Sequence, residues 1–202
     1  GVEAASPIKV NIRFLAPQNG DYSLLGARKG NIRLYPAHIY NNALNVGYSS
    51  LYRVDAGDYY KFLDVTSELR NGLQFCSVGG TTKYTAQLST DVALGLNLYL
   101  FACNVNGTAN YFAPAATKIG RCQIYTSGVT HSGYTYLEMI RDFVPCINPD
   151  GIAGFYDVVQ QRFYGSANNN AFTAAATDLT GKELVSDSDT LNSAGNTEII
   201  RN

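Results

Sequence analysis

The sequence predicts an all-β fold in which two antiparallel sheets pack face to face as a β-sandwich. Short runs of alternating apolar and polar residues recur along the chain, and turns rich in Gly, Asn and Pro separate them. Helical periodicity does not extend beyond one or two turns anywhere in the chain. A single sandwich commonly reaches 202 residues, and a domain of that size folds without needing disulfides or a metal.

The N-terminal part of the chain predicts three neighbouring strands. Residues 8–15 alternate apolar with mostly polar side chains, the period-2 pattern of a strand with one buried face. Strands over 22–27 and 32–35 flank a tight turn at Lys29-Gly30-Asn31 and are expected to pair in antiparallel fashion. His38 follows, and we expect it in an exposed bend or at a strand edge, as a structural side chain rather than a ligand or base.

The middle of the chain predicts a hairpin and one central strand. Residues 66–72 fit either one capped helical turn or the loop before a strand at 73–78. Gly79-Gly80 then closes a hairpin between that strand and residues 81–88. Residues 96–103 are apolar on both faces, so we expect them to form a central strand that is packed on both sides.

Residues 134–173 predict a β-meander at the end of the folded domain. A long strand is expected to break at Pro145, and the chain then turns at 148–151 and returns. Pro149 presets φ for this turn, and Gly151 can take the positive φ that closes it.

Composition and charge exclude several functional classes. A formal net charge of -1, with 15% charged residues, leaves no basic surface for nucleic acid. No apolar stretch is long enough to cross a membrane, so we predict no membrane insertion. The high Tyr and Gly content, the low charge and the lack of Trp are typical of an exported or virion β-protein.

The four cysteines have spacings that match neither a metal site nor a thioredoxin motif. They are Cys76, Cys103, Cys122 and Cys146. We interpret them as separate buried thiols that pack as small hydrophobic side chains, in preference to disulfides.

The terminal meander also carries a family resemblance. Its positions are Arg141, Asp142, Phe143, Pro145, Asn148, Pro149, Gly151, Gly154, Tyr156 and Asp157. This pattern resembles the terminal signature of laminin-G-like, concanavalin A-like jelly-roll domains of the lectin-glucanase superfamily. Such domains are widespread in surface and phage-encoded proteins of gut bacteria. The resemblance implies a jelly-roll topology and no defined activity, since members are mostly called lectin-like.

Within this signature we expect structural roles. Arg141 and Asp142 are adjacent, and we expect one of them to cap the turn before Pro145 or to pair across the sheet. Asp157 is expected to anchor the next turn through an Asx bond. In the family resemblance, Cys146 belongs to a Pro-Cys pair that is structural.

The resemblance extends over most of residues 1–173, which we take as one concanavalin A-like jelly-roll domain. Residues 174–202 are rich in Ser, Asp and Asn and predict a polar C-terminal arm or linker. An arm whose few apolar residues dock on a neighbour offers a route to a homo-oligomer. The start of a further module is the alternative.

Enzymatic chemistry has little support in the sequence. None of the glutamates has an acidic partner two residues away, as the strand motif of retaining glycosidases requires. No Gly-x-Ser-x-Gly elbow is present, so serine hydrolase chemistry has no support either. Asp55-Ala56-Gly57-Asp58 and Asp187-Ser188-Asp189 offer oxygen ligands for calcium, but solvated turns explain both, so we predict no metal site and no cofactor.

Sugar binding is the chemistry that the composition fits best, because aromatic rings stack on pyranose faces while amides and carboxylates hydrogen-bond the hydroxyls. Candidate ligand-binding residues lie near turns beside Asn or Asp. They are Tyr48, Tyr52, Tyr84, Asn106 and Tyr111. Each tyrosine also fits a half-buried strand position, so a structural role stays open for each.

The sequence therefore predicts a non-catalytic, lectin-like recognition module that binds a glycan or a cell-surface protein. Its expected location is extracellular, on a cell surface or a virion. The alternative is a structural virion or appendage subunit that uses the jelly roll for assembly, and a degenerate glycoside hydrolase is the third hypothesis.

Overall fold

The computed structural model describes residues 1–47, 49–53, 59–87, 92–132 and 134–166, and for 49–52, 129–131 and 134–135 it describes the backbone alone. These residues form strands and turns, with no helix among them, which confirms the all-β prediction. The predicted arm at 174–202 and the two calcium candidates lie outside the described residues.

Seventeen strands occupy the described part of the chain. In chain order they are β1 Glu3–Ala5, β2 Ile8–Leu15, β3 Asp21–Lys29, β4 Ile32–Tyr40, β5 Ala43–Val46, β6 Ser49–Arg53, β7 Phe62–Arg70, β8 Leu73–Val78, β9 Thr81–Gln87, β10 Ala93–Asn97, β11 Tyr99–Leu100, β12 Cys103–Val105, β13 Thr108–Asn110, β14 Lys118–His131, β15 Tyr134–Ile147, β16 Ala153–Asp157 and β17 Arg162–Tyr164.

Eight strands form the larger sheet, in the antiparallel order β17-β16-β15-β14-β2-β7-β8-β9. Within it, β2 lies between β14 and β7 and alternates buried with half-buried side chains, which confirms the predicted period of two. The predicted hairpin closed by Gly79-Gly80 is also present, between β8 and β9. β14 and β15 form a long hairpin of two 14-residue strands.

Seven strands form the smaller sheet, in the order β13-β12-β3-β4-β5-β6, with β11 also paired to β3. β12 runs parallel to β3, so the prediction of purely antiparallel sheets is wrong at this one pair. β1 and β10 form a separate two-stranded sheet.

The inward side chains of both sheets share one hydrophobic core. The larger sheet contributes Ile12 and Phe14, and the smaller sheet contributes Leu34, Ile39 and Leu44. The two sheets therefore pack face to face in a sandwich-like arrangement. Because side chains alternate along a strand, the residues next to these core positions, such as Arg33, His38 and Asn45, lie on that sheet's outer face.

Residues 66–72 form neither a helical turn nor a loop before a strand. They continue β7 to Arg70 and then turn at Asn71-Gly72 into β8. Asn71 and Gly72 both have positive φ, at 51° and 67°, which a two-residue hairpin turn requires. The apolar–polar alternation of β7 thus outweighed the capping signal.

Residues 96–103 do not form the predicted central strand. They are divided among β10, β11 and β12, and β10 pairs only with the short β1 among the strands described. Phe101 has a positive φ of 57°, and this left-handed backbone separates β11 from β12.

Pro145 does not break the long strand as predicted. β15 continues to Ile147, and Pro145 is paired with Phe155 of β16. The recorded pairing of β15 with β14 ends at Phe143, so Pro145 lies where one side of the strand is unpaired and its missing N–H costs no ladder bond.

His38 does not lie in an exposed bend or at a strand edge. It lies within β4, between β3 and β5, and is 3% exposed. The strand passes through Pro36 because the β3–β4 register shifts there, so that Tyr35 and Pro36 together face Gly26. Such a bulge tolerates a residue that lacks an N–H.

All four cysteines are free and buried, which confirms the interpretation as separate thiols. Burial raises the pKa of Cys76, Cys103 and Cys146 to about 11 each. These thiols are therefore protonated at neutral pH and are weak nucleophiles. No helix in the described part of the chain is long and apolar enough to span a membrane.

Candidate ligand-binding site

A recess of about 350 Å³ lies on the outer face of the smaller sheet. Strands β3, β4 and β5 and the segment after β13 supply its walls. The lining residues are Asp21, Arg28, Arg33, Tyr35, His38, Tyr40, Asn45 and Tyr111. Its size lies within the range of known small-ligand sites, which begins at about 300 Å³.

The floor of the recess is a stack of aromatic rings that the β-bulge creates. Tyr35 and His38 are three positions apart, a spacing that places side chains on opposite faces of a regular strand. The extra residue at Pro36 brings both rings to the outer face, where they stack with centroids 4.3 Å apart and planes 15° apart. Bulges commonly redirect side chains in this way next to functional sites.

Tyr111 forms one wall and is fixed by contacts to β3. Its backbone carbonyl accepts a hydrogen bond from the N–H of Ser23 at 2.8 Å, and its ring meets His38 edge-on at 5.9 Å. Arg28 donates from Nη1 to the Tyr111 hydroxyl at 3.2 Å and from Nε to the Gly30 carbonyl at 2.8 Å. The Tyr111 side chain and the Arg28 guanidinium are therefore held in place before any ligand arrives.

His38 is buried, and its ring nitrogens have different surroundings. Nε2 lies 3.0 Å from Oδ1 of Asp21, whereas Nδ1 has no hydrogen-bond partner within the described residues. Burial lowers the pKa of His38 below its usual value and Arg33 lowers it further, while Asp21 acts in the opposite direction.

His38 is therefore neutral at neutral pH. An ionised carboxylate only accepts hydrogen bonds, so Nε2 carries the proton that is donated to Asp21. Nδ1 of the neutral ring then carries a lone pair, but this atom is itself buried and has no hydrogen-bond partner among the described residues.

The structure also places Ser23 beside His38, where the two residues are register partners on β3 and β4. Ser23 is fully buried, does not line the recess, and its Oγ has no hydrogen-bond partner among the described residues. A serine nucleophile needs a hydrogen bond to its base and access to substrate. Asp21 is the only carboxylate among the lining residues, whereas glycoside hydrolysis generally uses two.

The sequence-predicted binding residues whose side chains the structure describes do not share one site. Tyr111 lines the recess, and Tyr84 lies half-buried on β9 of the larger sheet. Asn106 is structural, because its Oδ1 accepts from the Gly30 N–H at 3.2 Å. Tyr48 lies outside the described residues, and for Tyr52 only the backbone in β6 is described.

The signature residues of the terminal meander hold strands together and lie outside the recess. Arg121 binds Asp142 across the sheet through two hydrogen bonds, of 2.7 and 2.5 Å. Asp157 is fully buried, and its Oδ1 accepts from the backbone N–H groups of Asp142, Val159 and Gln160. Its Oδ2 lies 3.4 Å from Nε of Arg141.

Other signature residues shape turns and close contacts. Asn148 Oδ1 accepts from the N–H groups of Asp150 and Ile152, and Gly151 has a positive φ of 78°. A Cβ at Gly154 would meet the Tyr164 carbonyl at 2.4 Å, so the close approach of β16 and β17 requires glycine there. The remaining positions are strand or turn residues, namely Phe143, Pro145, Pro149 and Tyr156.

Most of the recess was missed by sequence reasoning. The alternation of β4 around the buried Leu34 and Ile39 places Arg33, His38 and Tyr40 on the outer face, and this signal was available. Alternation from Leu34 places Tyr35 on that face as well, but only the bulge at Pro36 puts Tyr35 and His38 on the same face, and the sequence gives no signal of that bulge.

Comparison with family models, with curated proteins and with solved structures found no match in any of the three.

Proposed function

We propose that this chain is a non-catalytic, lectin-like recognition module whose binding site is the recess on the outer face of the smaller sheet. The observation that carries the proposal is the combination of three tyrosine rings with five polar side chains in one cavity. Aromatic faces with a few hydrogen-bonding groups are what a hydroxyl-rich ring such as a sugar requires.

Rigidity of the site supports recognition. The lining side chains come mostly from strands rather than long loops, and Tyr35, His38, Arg28 and Tyr111 are already fixed by contacts with one another or with the backbone. A site that is ordered before binding loses less conformational entropy when the ligand arrives.

The recess favours binding over hydrolysis. Its only lining carboxylate, Asp21, already contacts His38, and the neighbouring Ser23 is buried without a hydrogen-bond partner in the described chain. A pair of reacting groups positioned on opposite sides of a bound sugar is therefore missing from the lining residues.

The proposal includes the finer assignments that the family resemblance implies. These are a concanavalin A-like jelly-roll topology and a location outside the cell, on a cell surface or a virion. Two sheets that share one core support the first, and the low-charge, Tyr-rich composition supports the second.

Assembly into a virion or appendage is the second candidate function, and one observation favours it. Exposed aliphatic side chains flank the turns on both sides of β16, near the outermost strand β17 of the larger sheet. They are Ile147, Ile152, Val158 and Val159, which are 37–52% exposed. Solution mass would distinguish the candidates, because an assembly subunit should form oligomers and a recognition module need not.

A glycan array followed by calorimetry with the glycans that bind tests the first proposal. Tyr40 is 54% exposed at the rim of the recess, so Tyr40→Ala should weaken binding by roughly two- to tenfold through loss of a stacking face. Tyr136→Ala is the matched control, because Tyr136 is 60% exposed on β15 of the other sheet. Equal losses in both variants, or no binding to any glycan, would contradict the proposal.

A further inference from the structure

The recess contains an unusual pair of like charges. Arg28 and Arg33 are register partners, directly opposite each other on β3 and β4. Like charges at opposed positions of adjacent strands destabilise a sheet. Both residues nevertheless line the recess, which suggests that their position serves a ligand.

The two arginines have different contacts. Arg28 is half-buried and already donates to Gly30 and Tyr111. Arg33 is exposed, and within the described part of the chain its guanidinium has no hydrogen bond and no ion pair. Arg33 therefore retains a full set of guanidinium donors for an incoming group.

The charge balance of the recess is positive. Two guanidinium groups and one carboxylate, with His38 neutral, leave one net positive charge among the lining residues. Asp21 is the only negative charge, and one of its oxygens is already bonded to His38. A ligand with one carboxylate would balance the remaining positive charge of the recess. Such a carboxylate can also bind an arginine through two parallel hydrogen bonds.

Resting on the proposed function, we infer that the recess is specific for saccharides that bear a carboxylate, with Arg33 as the principal partner of that carboxylate. In this arrangement Arg28 reinforces the positive potential, and Tyr40 offers a stacking face. A neutral sugar would leave the two opposed guanidinium groups uncompensated.

Paired ligands test the inference. Oligosaccharides of glucuronic acid, galacturonic acid and sialic acid are compared by calorimetry with their own methyl esters, which lack the charge and carry one added methyl group. At least one acid should bind roughly ten- to hundredfold more tightly than its ester, the range expected for a hydrogen-bonded charge. Equal affinity for acid and ester would overturn the inference while leaving the proposed function intact. If the protein binds neither the acids nor the esters, and no other glycan either, both the inference and the proposed function are overturned.

Variants then assign the selectivity to a residue. Arg33→Gln should remove most of the preference for the acid and leave the affinity for the ester nearly unchanged. Lys29→Gln removes the same charge from an exposed neighbour on β3 that does not line the recess, so it should keep the preference. Equal effects of the two variants would mean that overall charge, rather than Arg33, attracts the acid, and would overturn the assignment.

A second measurement remains informative if binding is weak. Because Arg33→Gln relieves the repulsion from Arg28, the ligand-free variant should be at least as resistant to thermal unfolding as the parent protein at low salt. A lower melting temperature would show that Arg33 stabilises the ligand-free fold. That result would contradict the inference that Arg33 occupies this position in order to bind the ligand.

Discussion

At the residue scale, the burial of His38 in the recess makes the stability of the protein depend on pH. Its ring is 3% exposed, stacks on Tyr35 and meets Tyr111 edge-on, and it faces Asp21 and Arg33. Burial and Arg33 lower its pKa in the folded state, so the unfolded chain binds a proton at this residue more readily than the folded protein does. Where the unfolded state binds more protons, the free energy of unfolding increases with pH.

The predicted consequence is a loss of stability as pH falls below about 6.5, the usual pKa of histidine. His38→Gln should flatten this part of the curve, which for one proton has a slope of at most about 1.4 kcal/mol per pH unit. Urea unfolding of both proteins between pH 5 and pH 8 measures the difference. Parallel curves for the two proteins would show that His38 titrates with an ordinary pKa in the folded state.

At the residue scale, the sequence predicts free cysteines correctly, because burial and spacing decide the outcome. Tyr111 lines the recess, and its ligand-binding role stays a prediction. The sequence predicts a structural role for His38, because a lone histidine near aromatic residues is a satisfied structural side chain more often than a ligand or a base. Its role depends on Asp21 and Tyr111, which are distant in sequence, and only the fold reveals such neighbours.

At the element scale, the terminal meander is stabilised by buried charges. Asp157 joins β15 to the turn after β16, since it accepts three backbone hydrogen bonds and lies close to Arg141. Arg121 and Asp142 join β14 to β15 in the same region. These contacts hold β14, β15 and the turn after β16 together, and none of these residues lines the recess.

Asp157→Ala should therefore destabilise the protein strongly while any protein that remains folded binds its ligand normally. Removal of one partner of a buried ion pair costs about 3–5 kcal/mol, because the other charge and the backbone donors lose their acceptor. Asp150→Ala is the control, since Asp150 is exposed in a turn, and such changes fall within about 0.5 kcal/mol. Denaturant unfolding measures both, and similar losses would refute the structural role of Asp157.

Element boundaries were predictable where apolar alternation is regular, as in β2 and in the β8–β9 hairpin. They were not predictable where left-handed residues interrupt a strand. Phe101 gives no sequence signal of its positive φ, since bulky residues rarely adopt it, and tertiary contacts impose it. The bulge at Pro36 was likewise interpreted as a strand end, because proline is compatible with either outcome.

At the scale of the whole molecule, the sequence predicts the number of layers better than the order of strands. Alternating burial requires each sheet to cover its apolar face, and the observed shared core meets that requirement. The parallel pairing of β12 with β3 and the side-by-side placement of β2 and β14 join segments far apart in the chain. No local pattern encodes such pairings, and yet they decide which outer face carries the recess.

The most direct test of the account maps where a ligand touches the folded protein. Backbone amide chemical shifts are recorded during titration with the acidic oligosaccharide that binds best in the calorimetric comparison. The account predicts that the largest shifts fall within β3, β4 and β5 and at Tyr111, and that they fade in Arg33→Gln. Shifts concentrated on the outer face of the larger sheet, or around Tyr84, would contradict the placement of the site.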